Sequence, residues 1–221
     1  MTDAFRGWSP AAIDFYRELE ADNTRPFWLA HKHVYDVEVR APFDALSALV
    51  EVEFGPLKVF RPNRDVRFSK DKSPYKTRCY AVGEGEGGEG YYVAIGSHGL
   101  TVGSGAWMMA KDQLTRYREA VADDQAGPEL ERLVADVRAA GLVIEGQPLK
   151  TAPRGYPRDH PRIELLRNKS LAAMRDFEPA RWLGTPKAAD RIVGTWRAAS
   201  GIHSWLATHV GPSTEPPSDR W

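Results

Sequence analysis

Two stretches of the chain hold the residue types from which a site could be built. The first runs from Phe60 to Arg78 and carries seven Lys/Arg against Asp65 and Asp71, a local net charge of about +5. Its Arg64, Arg67, Lys70, Lys72 and Lys76 are suited to phosphate or carboxylate, and the arginines can grip an anion through two parallel N–H groups. The plain alternative is a solvated loop whose Arg64 and Arg67 are tied to Asp65 or to the N-terminal carboxylates. The second stretch, Pro153 to Lys169, adds Arg154, Arg162, Asp159 and His160. Asp159 stands where an N-cap would sit, before a helix expected from Asp159 through Asn168. At the start of such a helix the dipole would favour neutral His160, the form a general base needs.

Together the two stretches suggest one pocket for a small anionic ligand. Arg64, Arg67, Lys70, Lys72, Lys76, Arg154 and Arg162 would hold the anion, Asp65, Asp159 or His160 would carry protons, and Tyr75 and Trp107 would form an aromatic wall. No nucleophile with an adjacent base can be picked out, so no reaction class follows. The alternative is a non-catalytic module that contacts nucleic acid or protein through the same basic face, with Tyr75, Tyr80 and Tyr156 interleaved for stacking.

Other signals are weaker. Gly85, Gly87 and Gly90 match the spacing G-x-G-x-x-G, but a pyrophosphate needs a helix after the glycines and no carboxylates beside them. Tyr91 onward reads as a strand, and Glu84, Glu86 and Glu89 would repel phosphate. His31 and His33 point about 200° apart on a helix and cannot share a metal ion. No metal or cofactor is implied. The single cysteine, Cys79, lies in an expected strand as an inert buried thiol and allows no internal disulfide, which fits a reducing cytoplasm. With 30 Lys+Arg and 30 Asp+Glu there is no global field to attract a polyanion. No stretch is apolar enough for a secretory signal or a membrane span, so membrane partners are not expected.

The elements that must position these residues follow from periodicity and punctuation. Ser9-Pro10 and Thr24-Arg25-Pro26 start helices, the second continuing past Pro42 as two helices or one bent at that proline. Strands are expected over 58–61, 78–82, 91–95, 100–102 and 142–144, and helices over 112–123, 129–140 and 188–210. Strands in the middle with helices before and after indicate an α+β fold built on a mainly antiparallel sheet. One domain is expected over 1–210, followed by a disordered tail over 211–221.

The same stretches carry a resemblance. Phe15 to Leu19 with Asn23, Arg25 and Phe27-Trp28, the run Arg64 to Thr77, Gly90-Tyr91-Tyr92, Gly105 to Met108, Pro153 to Tyr156, Asp159 to Arg162 and Leu166 to Lys169 resemble the domain of unknown function 2461 family, chiefly bacterial conserved hypothetical proteins. The likeness spans roughly residues 10 to 180 in order. It implies an α+β fold and a shared site, and it names no substrate. The helical extension after Glu178 departs from it.

Overall fold

A computed structural model describes residues 4–85 and 90–215 of the chain. The fold is α+β, built on a six-stranded antiparallel sheet in the order β1-β2-β3-β4-β6-β5. The strands are β1 (Lys58–Val59), β2 (Arg78–Glu84), β3 (Gly90–Gly96), β4 (Gly99–Ala106), β5 (Val143–Glu145) and β6 (Leu171–Phe177). The chain groups into two compact units, one from the described parts of Met1–Gly83, Tyr92–Val102 and Asp176–Gly194, the other from those of Glu84–Tyr91, Gly103–Arg175 and Thr195–Trp221. The boundaries fall inside β2, β3, β4, β6 and the helix Lys187–Ala198, not in linkers, which is why the sequence shows no composition break where they occur. Among the described residues no helix is long and apolar enough to cross a membrane.

In the first unit, helix α1 (Pro10–Ala21) starts with Pro10 in its first turn and buries Ile13, Phe15, Tyr16 and Leu19. Ser9 does not cap it by side chain; its hydroxyl donates to Glu38 instead. Thr24 does cap helix α2 (Arg25–Val34), accepting from the Phe27 N–H. From Tyr35 to Arg40 the chain widens into a π-helical stretch before helix α3 (Ala41–Phe54). Pro42 explains this bulge. It has no N–H to give, and its ring would clash with the carbonyl four residues back, so the Ala41 N–H reaches Asp36 O, five residues away. The bend expected at Pro42 is thus absorbed one turn earlier. Trp8, fully buried, donates to Val39 O and meets Phe43 edge-on at 4.9 Å. On β2, Cys79 and Ala81 are buried while Arg78 is exposed and Tyr80 half-buried, an alternation that puts the charged residues on the outer face.

The second unit packs α4 (Lys111–Ala122), α5 (Ala126–Ala139) and α8 (Ser200–His209) around Tyr117, Val121, Leu130, Val134, Ile202, Trp205 and Leu206. Two expectations change here. The helix expected from Asp159 is one turn, α6 (Ile163–Leu166), preceded by irregular turns. The long helix over 188–210 is two, α7 (Lys187–Ala198) and α8, broken at Ala199. Strand β6 was not expected, because Leu171 to Met174 are all buried and show no alternation. The tail expected to be disordered is, over 211–215, tied to α4. Gln113 donates to Gly211 O, Arg116 to Val210 O and Pro212 O, and Asp112 accepts from Ser213 and Thr214. Residues 216–221 lie outside the described residues, as do Glu86, Gly87 and Glu89 of the glycine-rich stretch. Gly90 opens β3, so no helix follows those glycines.

Candidate functional site

The β1–β2 connection holds the first basic segment, and its base is a short ladder. The Phe60 N–H donates to Tyr80 O, the Lys76 N–H to Pro62 O at 2.8 Å and the Arg64 N–H to Pro74 O at 2.9 Å. Prolines serve well at 62 and 74, since both positions need only a carbonyl. Between these rungs Asn63 and Tyr75 form an antiparallel bridge. The outer edge of Tyr75 would be unpaired, but Asn23 fills it as a strand would. Its amide donates to Tyr75 O at 3.0 Å, and its carbonyl oxygen accepts from the Tyr75 N–H at 3.1 Å. The Tyr75 ring lies flat on Trp28 at 4.3 Å and is buried. Tyr75 therefore anchors the loop in the core and does not present a wall to a ligand.

Above this base, residues 65–73 are held by their own charges. Asp65 takes Arg67 through both carboxylate oxygens, at 3.0 and 2.7 Å, and also accepts from the Arg67 N–H. The Arg67 guanidinium bonded to it lowers the Asp65 carboxyl to about 2. Asp65 thus stays ionised near neutrality, which makes it a counter-charge and a poor proton carrier. Asp71 accepts from the Ser73 hydroxyl and N–H and pairs with Arg64; the Ser73 hydroxyl, then Arg64, hold its carboxyl well below the usual range. The Lys72 ammonium donates to Val66 O. Lys70 is exposed and has no ion pair among the described residues. The solvated-loop alternative is therefore met for Arg67, which pairs with Asp65, whereas Arg64 pairs with Asp71 of the same loop, a partner not expected.

An open cleft of about 560 Å³ lies against this loop, lined by Arg64, Asp65, Asp71, Lys76, Thr77, Arg78 and Tyr80. Lys76 is the most constrained of its cations. Its ammonium donates to Arg61 O and to the Tyr80 hydroxyl and sits over the Phe60 and Tyr80 rings at 5.4 and 4.8 Å. Those two rings stack on each other at 4.6 Å, and Tyr92 lies 5.9 Å from Tyr80. Tyr80 consequently has little free face for stacking. Below it, burial pushes the Cys79 thiol up to about 11, its nearest polar neighbour being the Tyr35 hydroxyl at 3.8 Å. A catalytic thiol would need the opposite shift.

The second basic segment serves its own unit. Arg162 is 9% exposed, and its guanidinium donates to Val121 O at 2.6 Å, Ala122 O at 3.0 Å and Asp123 O at 3.1 Å. It closes the C-terminus of α4, where unpaired carbonyls gather and a cation is favoured. The expected anion ligand is thus a helix cap. Gly127 belongs to the same arrangement, since a Cβ there would stand 2.4 Å from Arg162 Nε. Asp159 is exposed in a turn and is not the N-cap of α6, a place Arg162 occupies. The Nδ1 of His160 accepts from the Arg162 N–H at 3.0 Å, so that nitrogen is engaged in the turn. Arg154 is exposed beside Gly155, whose φ of 90° makes the turn. Trp107 is half-buried just after β4, and Tyr156 packs against the hydrophobic cluster of the second unit.

Phe68, which sequence reasoning passed over, is 96% exposed. Among the described residues no group of three His, Cys, Asp or Glu is placed to hold a metal ion. No curated protein and no solved structure matches the chain. The model of one family does, over residues 11–205, taking in the clamp at Asn23, the charged loop, the glycine at 127 and the Arg162 cap. The chain belongs to this family, described as Conserved hypothetical protein (DUF2461).

Proposed function

We propose that the chain binds a small ligand bearing phosphate or carboxylate in the cleft beside the β1–β2 loop. What supports this is the lining itself: Arg64, Lys76 and Arg78 share one open cleft with the hydroxyl groups of Thr77 and Tyr80. Lys76 is fixed by two carbonyl and hydroxyl acceptors and two rings, so little side-chain entropy is lost when it meets an anion. The counter-charges are exchangeable. In the Arg67–Asp65 and Arg64–Asp71 pairs the aspartate side chains are about half exposed, and such surface pairs contribute little. A doubly charged phosphate oxygen set can replace a carboxylate at Arg64 while Asp71 keeps its bonds from Ser73. Binding is the function this lining supports, and with both cleft carboxylates held ionised neither is an acid that could protonate a leaving group.

The test is thermal unfolding in sodium phosphate against sodium chloride at matched ionic strength. At a hundredfold excess over Kd, one-site binding stabilises by about 2.7 kcal/mol, a rise of about 5–10 °C for a chain of this size. The double variant Arg64→Gln, Arg78→Gln should lose that rise. A wild-type chain that responds to phosphate no more than to chloride would end the proposal.

A further inference from the structure

The loop that carries the cleft's counter-charges also carries an apolar side chain fully in solvent. Phe68 is 96% exposed, between Arg67, whose guanidinium lies 5.9 Å from the ring centre, and the exposed Lys70. Single exposed apolar residues on helix surfaces, such as Val52 on α3, are common and need no account. Phe68 differs in its setting, because it stands in a closed loop whose base is pinned to the core and whose other side chains are mostly cations and their aspartates. A ring so placed has one face beside a guanidinium and the other open.

Phe68 stands four positions after Arg64, so their Cα atoms are at most about 14 Å apart. An anion held at Arg64 in the cleft is therefore within reach of a planar group lying on Phe68, provided both belong to one ligand. The other rings nearby cannot take that part: Tyr75 is buried on Trp28, and Tyr80 is stacked on Phe60 and capped by the Lys76 ammonium. Resting on the anion-cleft reading above, we infer that the ligand is a nucleotide unit, free or within a single strand, with its phosphate among Arg64, Lys76 and Arg78 and its base stacked on Phe68. Base stacking on a protein ring is tolerant of base identity, and the guanidinium donor beside Phe68, that of Arg67, is already engaged by Asp65. The recognition is thus of nucleotide chemistry and not of sequence. The zero net charge of the chain fits a short contact of one or two phosphates better than a long electrostatic track.

The experiment titrates the full chain and its Phe68→Ala variant with inorganic phosphate, AMP, a single-stranded oligo-dT and phosphatidylserine vesicles. Wild type should bind AMP or oligo-dT about tenfold or more tighter than inorganic phosphate, the usual gain from one stacked base, and Phe68→Ala should bring both to the phosphate level. Equal gains for AMP and oligo-dT identify a free nucleotide as sufficient; a gain for oligo-dT beyond AMP identifies the strand. Phosphate binding without any gain for AMP or oligo-dT overturns the nucleotide while leaving the anion cleft standing. No binding of phosphate, AMP or oligo-dT removes both. Vesicle binding that depends on Phe68, with no nucleotide binding, overturns the inference in favour of an anionic lipid surface. Because Phe68 touches no core residue, the variant should fold, and unchanged unfolding of Phe68→Ala confirms that the comparison is of binding alone.

Discussion

Arg162→Ala tests the reassignment of the second basic segment from ligand site to helix cap. The wild-type guanidinium makes three hydrogen bonds to the last carbonyls of α4, the nearest carboxylates being Glu131 at 3.9 Å and Asp124 at 4.0 Å. Asp123 O keeps a second partner in the Gly127 N–H, whereas Val121 O and Ala122 O lose a charged donor. A buried polar group left unsatisfied costs about 1–3 kcal/mol, and hydrogen bonds from charged groups sit at the upper end. With two such carbonyls and the lost packing over Gly127, the variant should be less stable by about 3–5 kcal/mol. In urea, with a slope of about 2–3 kcal/mol per molar, that moves the midpoint down by about 1–2 M. Arg162→Lys should recover only part of the loss, since an ammonium cannot span three carbonyls with the planar geometry of the guanidinium. A midpoint within about 0.3 M of wild type for Arg162→Ala would refute the cap and return Arg162 to the list of ligand residues.

Two further outcomes follow from the first unit. Asn23→Ala removes both bonds that hold Tyr75 and should cost about 1–2 kcal/mol while weakening stabilisation by phosphate; unchanged hydrogen exchange at the Tyr75 amide would show that Asn23 is not the clamp. Burial raises the Cys79 thiol from its ordinary 9.0 to about 11. A raised folded value contributes stability that is complete below pH 9 and is lost as pH rises toward 11. Wild type should therefore lose stability over that window more steeply than Cys79→Ala in denaturant titrations, and a thiol reagent at pH 8 should label Cys79 only as fast as the chain opens.

How much was legible in the sequence depends on whether the deciding partner is local. Helix starts at Pro10 and Thr24, the β3–β4 hairpin and the antiparallel sheet follow from residues a few positions apart, and they were readable. Although the match runs to residue 205 and takes in most of the helical extension after Glu178 that was expected to depart from it, the resemblance to the family was readable too. Strand β6 was not, because Leu171 to Met174 are buried on both faces and lose the period-two signature. The π-helical stretch left its cause in view at Pro42, but its place one turn earlier depends on which carbonyl Ala41 can reach. At Asp159-His-Pro-Arg the local rules named an N-cap, and a distant partner won: Arg162 is drawn to carbonyls some forty residues away, and His160 accepts from its N–H.

The charged loop shows the same principle from the other side. Its excess of Lys and Arg was plain, yet what that excess means turns on two aspartates. Asp65 reaches Arg67 two residues on, a pairing a sequence can suggest. Asp71 reaches Arg64 seven residues back, which is possible only because Pro62, Pro74 and the Asn63–Tyr75 bridge close the loop's base. Had that base been open, Arg64 would extend into solvent like Arg67, and no cleft wall would exist. The closure in turn depends on Asn23 and Trp28 from α1–α2 and their connection, fifty residues away. If the cleft binds an anion as proposed, its affinity is coupled to core packing through Tyr75, so loosening the clamp at Asn23 should weaken phosphate binding without removing any of the cleft's charges.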